Sequence, residues 1–404
     1  MKILHIQNGM GPAGNAAYRL SCSMRNYGLD SHVLTLYKCS DFDYVHCHPN
    51  ARFDLFRKIV NTIICRAKLQ DKLPDTYFYR IFPQIGRNLE KNSNVRDADV
   101  IYVHWISGAI SVSDIHSLIA MDKPVIFFMH DMWDFTGGCH HSFDCTGYTK
   151  GCFKCPMFKI GARTPSAQVN NLIKAYANNH KKVAFVSPSR WMAECAKKSL
   201  VLRCQKVCCI PNLLDEDNFK PMDKHVAKSL LNLPLDKRII TFGCQAGTGN
   251  KYKGWNYLCE AINSINRDDI HIVIYGAGES PETRRLVKFP ITFLGRITEE
   301  AMLSLICNAT DVFVSPSMAE SYGLTFMENI LCGTPVVGFN NTAIPEIIKT
   351  GVNGYLAANK DAKDLAHGIE YLLESDIRPK DRDSYSQKNI IEKHIQLIEL
   401  LNRN

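Results

Sequence analysis

The chain has 404 residues, 46% of them hydrophobic and 22% charged, with a formal net charge of +8. That length supports two domains with separate cores, and that balance is of a soluble globular protein rather than a disordered or fibrous one. No apolar run approaches the ~20 residues of a membrane span, and no aromatic-interleaved basic repeat or helix-turn-helix pattern favours nucleic acid as a partner.

Met1 to Ile6 enters a strand pattern directly and lacks the form of a signal peptide. Strands are expected near Ile3–Gln7, His32–Leu36, Val100–His104, Val125–His130 and Val183–Ser187, with Arg203–Pro211 as the last before a boundary. The alternation of strand and helix then restarts: Ile239–Gly243, His271–Gly276, Ile291–Gly295, Asp311–Ser315 and Pro335–Phe339. Such alternation is the pattern of parallel α/β sheets, and its two beginnings predict two Rossmann-like halves facing a cleft. The linker is placed at Ile210–Asp215, running on to Phe219–Pro221, and Tyr385 to Leu401 reads as one uninterrupted helix.

Several stretches carry chemistry. Asn8 to Gly14 is a glycine-rich turn between the first strand and a helix expected from Ala16 to Tyr27. Gly11 and Gly14 would let backbone approach a phosphate or sugar, while Pro12 has no N–H to offer. Arg52 to Leu69 mixes basic residues (Arg52, Arg57, Lys58, Arg66, Lys68) with Phe53, Phe56, Ile59, Val60, Ile63 and Ile64 at helical spacing. It reads first as an amphipathic helix turned to the core, and alternatively as a peripheral contact with an anionic membrane. His130-Asp131 closes a strand at the end where α/β sheets bind ligands.

Sixteen cysteines without an export signal are read as reduced thiols. Four of them, Cys139, Cys145, Cys152 and Cys155, lie close enough in sequence to make a closed tetrahedral zinc site of structural kind. Free cysteines or a redox pair are the other readings. His140 and His141 could replace one ligand.

In the second half, Lys253-Gly254 opens a helix after a loop, where a lysine can neutralise a departing diphosphate. The run from Ser315 to Gly338 sets Glu320 in a loop beyond a strand and Glu328 one turn into a helix expected from Leu324 to Cys332. The free amides of Gly323, Leu324 and Thr325 would open that helix, an end that attracts phosphate.

This run closely resembles the E-x7-E motif of the retaining glycosyltransferases of family 4, with Ser321 and Tyr322 where the family usually has Gly and Phe. The resemblance extends to Ile210–Asp215, to Lys253-Gly254 and to the Gly11–Gly14 loop, though Cys244 and Gln245 stand where many members carry an arginine. It implies the GT-B fold: an N-terminal Rossmann-like domain at 1–212 on the acceptor side, a donor domain at 213–384, and a helix at 385–404 crossing back to the first. It further implies His130 and Glu320 at the transferred sugar and Glu328 on the ribose of a nucleotide diphosphate-sugar. Lys253 and the amides at 323–325 would hold the diphosphate, with no metal required. The segment from His130 to Pro156 resembles a branch that builds bacterial surface polysaccharides, so a glycan or lipid-linked acceptor is expected, with His104 and Trp105 near it. A nucleotide-sugar epimerase or hydrolase could share the fold but would consume donor without an acceptor. A non-catalytic nucleotide or glycan-binding protein would bind without turnover.

Overall fold

The computed structural model describes residues 1–9, 16–36, 42–48, 56, 59–60, 63, 85–105, 107–158, 164–177, 181–243, 251–276, 278–379 and 385–403. Gly11, Gly14, Cys244 and Gln245 lie outside them. The chain forms two compact units. One runs from the N-terminus to Leu213 and resumes from Lys388 onward; the other is Leu214–Gln387.

Seven strands build the first unit: β1 Lys2–Gln7, β2 Asp30–Thr35, β3 Val45–Cys47, β4 Val100–Val103, β5 Val125–Phe128, β6 Val183–Ser187 and β7 Val207–Cys209. Their order is β3-β2-β1-β4-β5-β6-β7, with every pairing parallel. Strands β4, β5 and β6 are buried along their whole length. A parallel sheet covered on both faces requires this, which is why these segments read as continuous apolar runs rather than alternating ones.

The second unit has six strands: β8 Arg238–Gly243, β9 Ile270–Tyr275, β10 Ile291–Phe293, β11 Val312–Ser315, β12 Val336–Phe339 and β13 Gly354–Ala357. Their order is β10-β9-β8-β11-β12-β13, again all parallel. Its core joins Ile240, Phe242, Ile272, Val312 and Val314 to helix residues such as Leu258 and Ile369. In both sheets the order reverses beside the first strand of the unit, between β1 and β4 and between β8 and β11. Such switch points, beyond the carboxyl ends of the strands, are where open α/β sheets place ligands.

Asp311 anchors the opposite end of β11. It is 7% exposed and takes ion pairs from Lys224 (2.8 Å) and Lys228 (3.1 Å) and the Ile239 amide (2.8 Å). Burial opposes its charge, but Lys224 outweighs burial and holds the carboxyl below its usual range.

The helix Gln387–Asn402 packs Ile390, Ile391, Leu397, Ile398 and Leu401 inward, and its His394 meets the Tyr102 hydroxyl on β4 at 3.1 Å. Two expectations are corrected. Phe56, Ile59 and Ile63, expected to face the core, are 56%, 50% and 62% exposed. Cys47 is disulfide-bonded, whereas twelve other described cysteines are free, so not all of the sixteen are thiols.

Candidate functional site

The second unit assembles its site where β8 and β11 diverge. After β8, a short 3-10 turn at Lys251–Lys253 leads to Gly254 and then to the helix Trp255–Ser264. Gly254 has φ +73°, a left-handed conformation that side chains rarely adopt, and caps that helix without a side-chain bond. The turn docks on the loop after β11, because the Met318 amide donates to the Tyr252 carbonyl at 2.8 Å. The loop is braced from its other side: the Glu320 amide donates to Thr342 Oγ1 (2.9 Å) and Asn341 Nδ2 donates to the Ser317 carbonyl (3.1 Å).

These contacts bring two of the expected residues together. Lys253 Nζ donates to Glu320 Oε1 at 2.6 Å, with the side chains 19% and 15% exposed. Burial disfavours the ammonium, but the Glu320 carboxylate and then Tyr252 outweigh it and raise the lysine pKa. Lys253 therefore stays charged, and an ammonium has three N–H donors, of which Glu320 occupies one.

Gly323 begins the helix Leu324–Leu331 with φ +92° and no side-chain cap. A Cβ there would meet the Phe326 ring at 2.9 Å. The first helical bonds run from the Phe326 and Met327 amides back to the Gly323 carbonyl. Among the described residues, the amides of Gly323, Leu324 and Thr325 have no acceptor within the chain, as at any uncapped helix start. Glu328, on the same helix, is only 2% exposed.

In the first unit, His130 follows β5 and belongs to a line of imidazoles. His104 Nδ1 lies 2.9 Å from His130 Nε2, and His104 Nε2 lies 2.9 Å from His5 Nδ1 on β1. Burial drives His130 down to about 4 and His5 to about 3, so both are neutral imidazoles near pH 7.

Asp131 has different partners. It accepts from Trp105 Nε1 (2.9 Å), the Trp133 amide (2.8 Å) and His140 Nδ1 (2.5 Å). Burial opposes ionisation, but His140 outweighs it and keeps the carboxyl low. His140 Nε2 then meets Ser107 Oγ at 3.1 Å. Asp131, His140 and Ser107 have the connectivity of an acyl-transfer triad, yet Ser107 is 0% exposed and no substrate reaches its hydroxyl. What the network presents outward is Trp105, 40% exposed with its indole N–H fixed.

Cys139, Cys145, Cys152 and Cys155, expected to bind zinc, lie near one another, close enough for the other three to act electrostatically on Cys139. Among the described residues, no three His, Cys, Asp or Glu groups are placed to hold a metal ion. Instead, the Gly137 amide donates to Cys152 Sγ (3.3 Å) and the Gly147 amide to Cys145 Sγ (3.4 Å). Burial raises Cys139 and lifts Cys152 to about 11, keeping both as thiols.

His5, Tyr102, Thr342 and His394 belong to these networks and were not singled out from sequence. A signal was available for His5: a fully buried polar residue inside an apolar strand needs partners.

Residues 237–375 match the family model "Glycosyl transferases group 1". This segment, about a third of the chain, is similar to the group 1 glycosyltransferases. The D-inositol 3-phosphate glycosyltransferase of Mycobacterium tuberculosis (strain ATCC 25618 / H37Rv) is 26% identical over 179 residues, which cover 42% of this chain and 36% of the relative. The chain thus spans about a third of the length of the curated relatives it matches. Solved structures align over the whole chain. Anabaena HepE in complex with UDP and glucose gives a TM-score of 0.57 at 15% identity, covering 100% of this chain and 98% of that one. Sucrose-phosphate synthase from Thermosynechococcus elongatus gives 0.65 at 15%, covering 100% and 99%. WaaG, a glycosyltransferase involved in lipopolysaccharide biosynthesis, gives 0.60 at 12%, covering 99% and 94%. Likeness at such identity speaks for the fold, two Rossmann-like units of the GT-B type.

Proposed function

We propose that the protein is a retaining glycosyltransferase that moves a sugar from a nucleotide diphosphate-sugar to a glycan or lipid-linked acceptor in bacterial polysaccharide biosynthesis. The observation that carries the reading is the Lys253–Glu320 pair, in the matched segment, at the switch point of the second sheet. Lys253 offers an N–H donor to diphosphate oxygens while Glu320 and Tyr252 hold it in place. The amides at Gly323, Leu324 and Thr325 add a positive helix end for the same charge, and Glu328 fixes the ribose. Charge developing on the leaving phosphate is met by fixed donors, and preorganised donors of this kind supply much of the rate enhancement in many enzymes. With lysine and amides in this role, transfer needs no activating metal, and EDTA-treated enzyme is expected to keep its activity. Glu320 contacts the transferred sugar.

UDP is favoured as the nucleotide because several structures of the same fold carry it. A lipid-linked acceptor accords with Phe56, Ile59 and Ile63, which expose apolar side chains within a basic sequence. Pelleting with anionic vesicles tests this contact: equal binding by wild type and by a variant charge-reversed at Arg57, Lys58 and Arg66 removes it.

The main test is a thermal-shift panel of UDP, GDP, ADP, TDP and CMP on wild type and Glu328→Ala. A ligand at a hundred times its Kd stabilises by about 2.7 kcal/mol. One diphosphate should stabilise wild type and much less the variant. No shift with any nucleotide would move the non-catalytic reading ahead.

A further inference from the structure

The line of imidazoles in the first unit has a direction, and the direction decides what His130 offers a ligand. Each link between two neutral imidazoles needs one N–H and one lone pair, so all the protons point outward toward His130 or all point inward toward His5. Burial keeps His5 and His394 near 3 and His104 well below its ordinary value, so none of them is a cation that could break the alternation.

The inner end settles the choice. The Tyr102 hydroxyl is buried, and burial raises its pKa, so it stays a phenol. Its one hydrogen-bond partner among the described residues is His394 Nδ1, at 3.1 Å. If the phenol accepted there, its own proton would be buried without a partner, so it donates. The His394 proton therefore sits on Nε2. That atom and His5 Nε2 are both buried and lack hydrogen-bond partners among the described residues. His394 is also close enough to act on His5 electrostatically. Inward-pointing protons would leave the His5 Nε2–H buried with no acceptor among the described residues, near a His394 N–H that already lacks one. Outward-pointing protons leave only a lone pair on His5 Nε2, the smaller penalty, and put the free N–H on half-buried His130.

We infer that Tyr102, His394, His5 and His104 are positioning residues that lock His130 as the Nδ1–H tautomer, giving it an outward hydrogen-bond donor and no outward lone pair. His5 Nδ1–H then donates to His104 Nε2, and His104 Nδ1–H donates to His130 Nε2. So held, His130 recognises an uncharged oxygen acceptor, such as a sugar hydroxyl, and has no lone pair with which to deprotonate an attacking hydroxyl. The chain closes on the buried phenol, so it carries no proton to solvent and serves to orient. The ligand class rests on the proposed sugar-transfer reading; the tautomer does not.

The test is a long-range proton–nitrogen correlation spectrum of the full chain labelled with 15N-histidine, at neutral pH, with His130 assigned by the signal missing from His130→Gln. The expected result is a neutral His130 protonated at Nδ1, as are His104 and His5. A His130 protonated at Nε2, or titrating as a cation near neutrality, overturns the inference. Tyr102→Phe removes the orienting hydroxyl while keeping the ring. It is expected to leave the melting temperature and UDP affinity close to wild type, to mix the His130 tautomers, and to lower UDP release from a turned-over UDP-sugar by about tenfold, the effect of one hydrogen bond. Unmixed tautomers in that variant overturn the role of Tyr102. If wild type turns over no nucleotide sugar while its His130 is protonated at Nδ1, the transfer reading fails and the tautomer lock stands.

Discussion

A Cβ on Gly254 would stand 2.0 Å from the carbonyl oxygen of Pro316, closer than any side chain can approach backbone. The close approach is what lets the turn after β8 lie against the loop after β11 and set Lys253 on Glu320. Gly254→Ala is therefore expected to cost about 2–4 kcal/mol, from the left-handed φ and from the displaced loop together. Urea unfolding checks the stability, and UDP-dependent thermal shift checks the site, which should lose more than the global loss explains. A variant within about 0.5 kcal/mol of wild type would show that the loops are not in contact.

Lys253→Gln keeps much of the side-chain length and removes the charge. If the ammonium stabilises the departing diphosphate, turnover should fall about 10²- to 10³-fold, the scale seen when one preorganised donor is lost, while nucleotide binding weakens far less. A cycle with Glu320→Gln should give a coupling of about 0.5–3 kcal/mol in turnover, because each residue holds the other. Equal losses in binding and turnover would mean that Lys253 contributes only ground-state affinity.

The fold was largely legible because each central strand announces itself as an apolar run, and the double start of the strand–helix alternation marks two sheets. The two short strands left unread, Val45–Cys47 and Gly354–Ala357, lie at sheet edges, where fewer apolar positions are required. Lys253 and Glu320 were legible from local pattern, since each follows a strand and each carries a formal charge in an otherwise apolar or small-residue setting. Their mutual contact was not, because it depends on Gly254 packing against Pro316 across 62 positions of sequence. The histidine line was invisible for the same reason: His394 meets Tyr102 from 292 residues away. Cysteine spacing told that four sulfurs are neighbours but not which partners they take: Cys152 and Cys145 accept from the Gly137 and Gly147 amides.

Asp311→Ala tests an anchor remote from the chemistry. The substitution leaves Lys228, 5% exposed, with its charge uncompensated beneath the sheet. Breaking a buried pair by removing one partner costs about 3–5 kcal/mol. The urea midpoint should fall accordingly, while turnover per folded molecule should stay near wild type, since Asp311 stands at the start of β11 and Glu320 follows its end. A loss of turnover without a loss of stability would place Asp311 in the site instead.

Acid should destabilise the protein earlier than carboxylate titration alone would. His5 and His394 are held down to about 3 by burial, and His104 well below its ordinary value, against about 6.5 in the unfolded chain. Between those values the unfolded state binds protons that the native state refuses, so stability rises with pH there. The contribution is complete above about pH 6.5 and drains away as the pH falls, by up to about 1.4 kcal/mol per pH unit for each histidine, or roughly 6 for the four once His130, held to about 4, is included. Asp131, whose pKa is depressed chiefly through His140, adds a loss of the same sign at lower pH. Urea midpoints at pH 7.5, 6.5 and 5.5 should stay level across the first interval and drop steeply across the second. His394→Phe should shrink that drop by about a quarter, because one of the four refused protons is gone. A midpoint that holds constant down to pH 5 would mean that the imidazoles take up protons in the native state, and that the line from His5 to His130 is open to water.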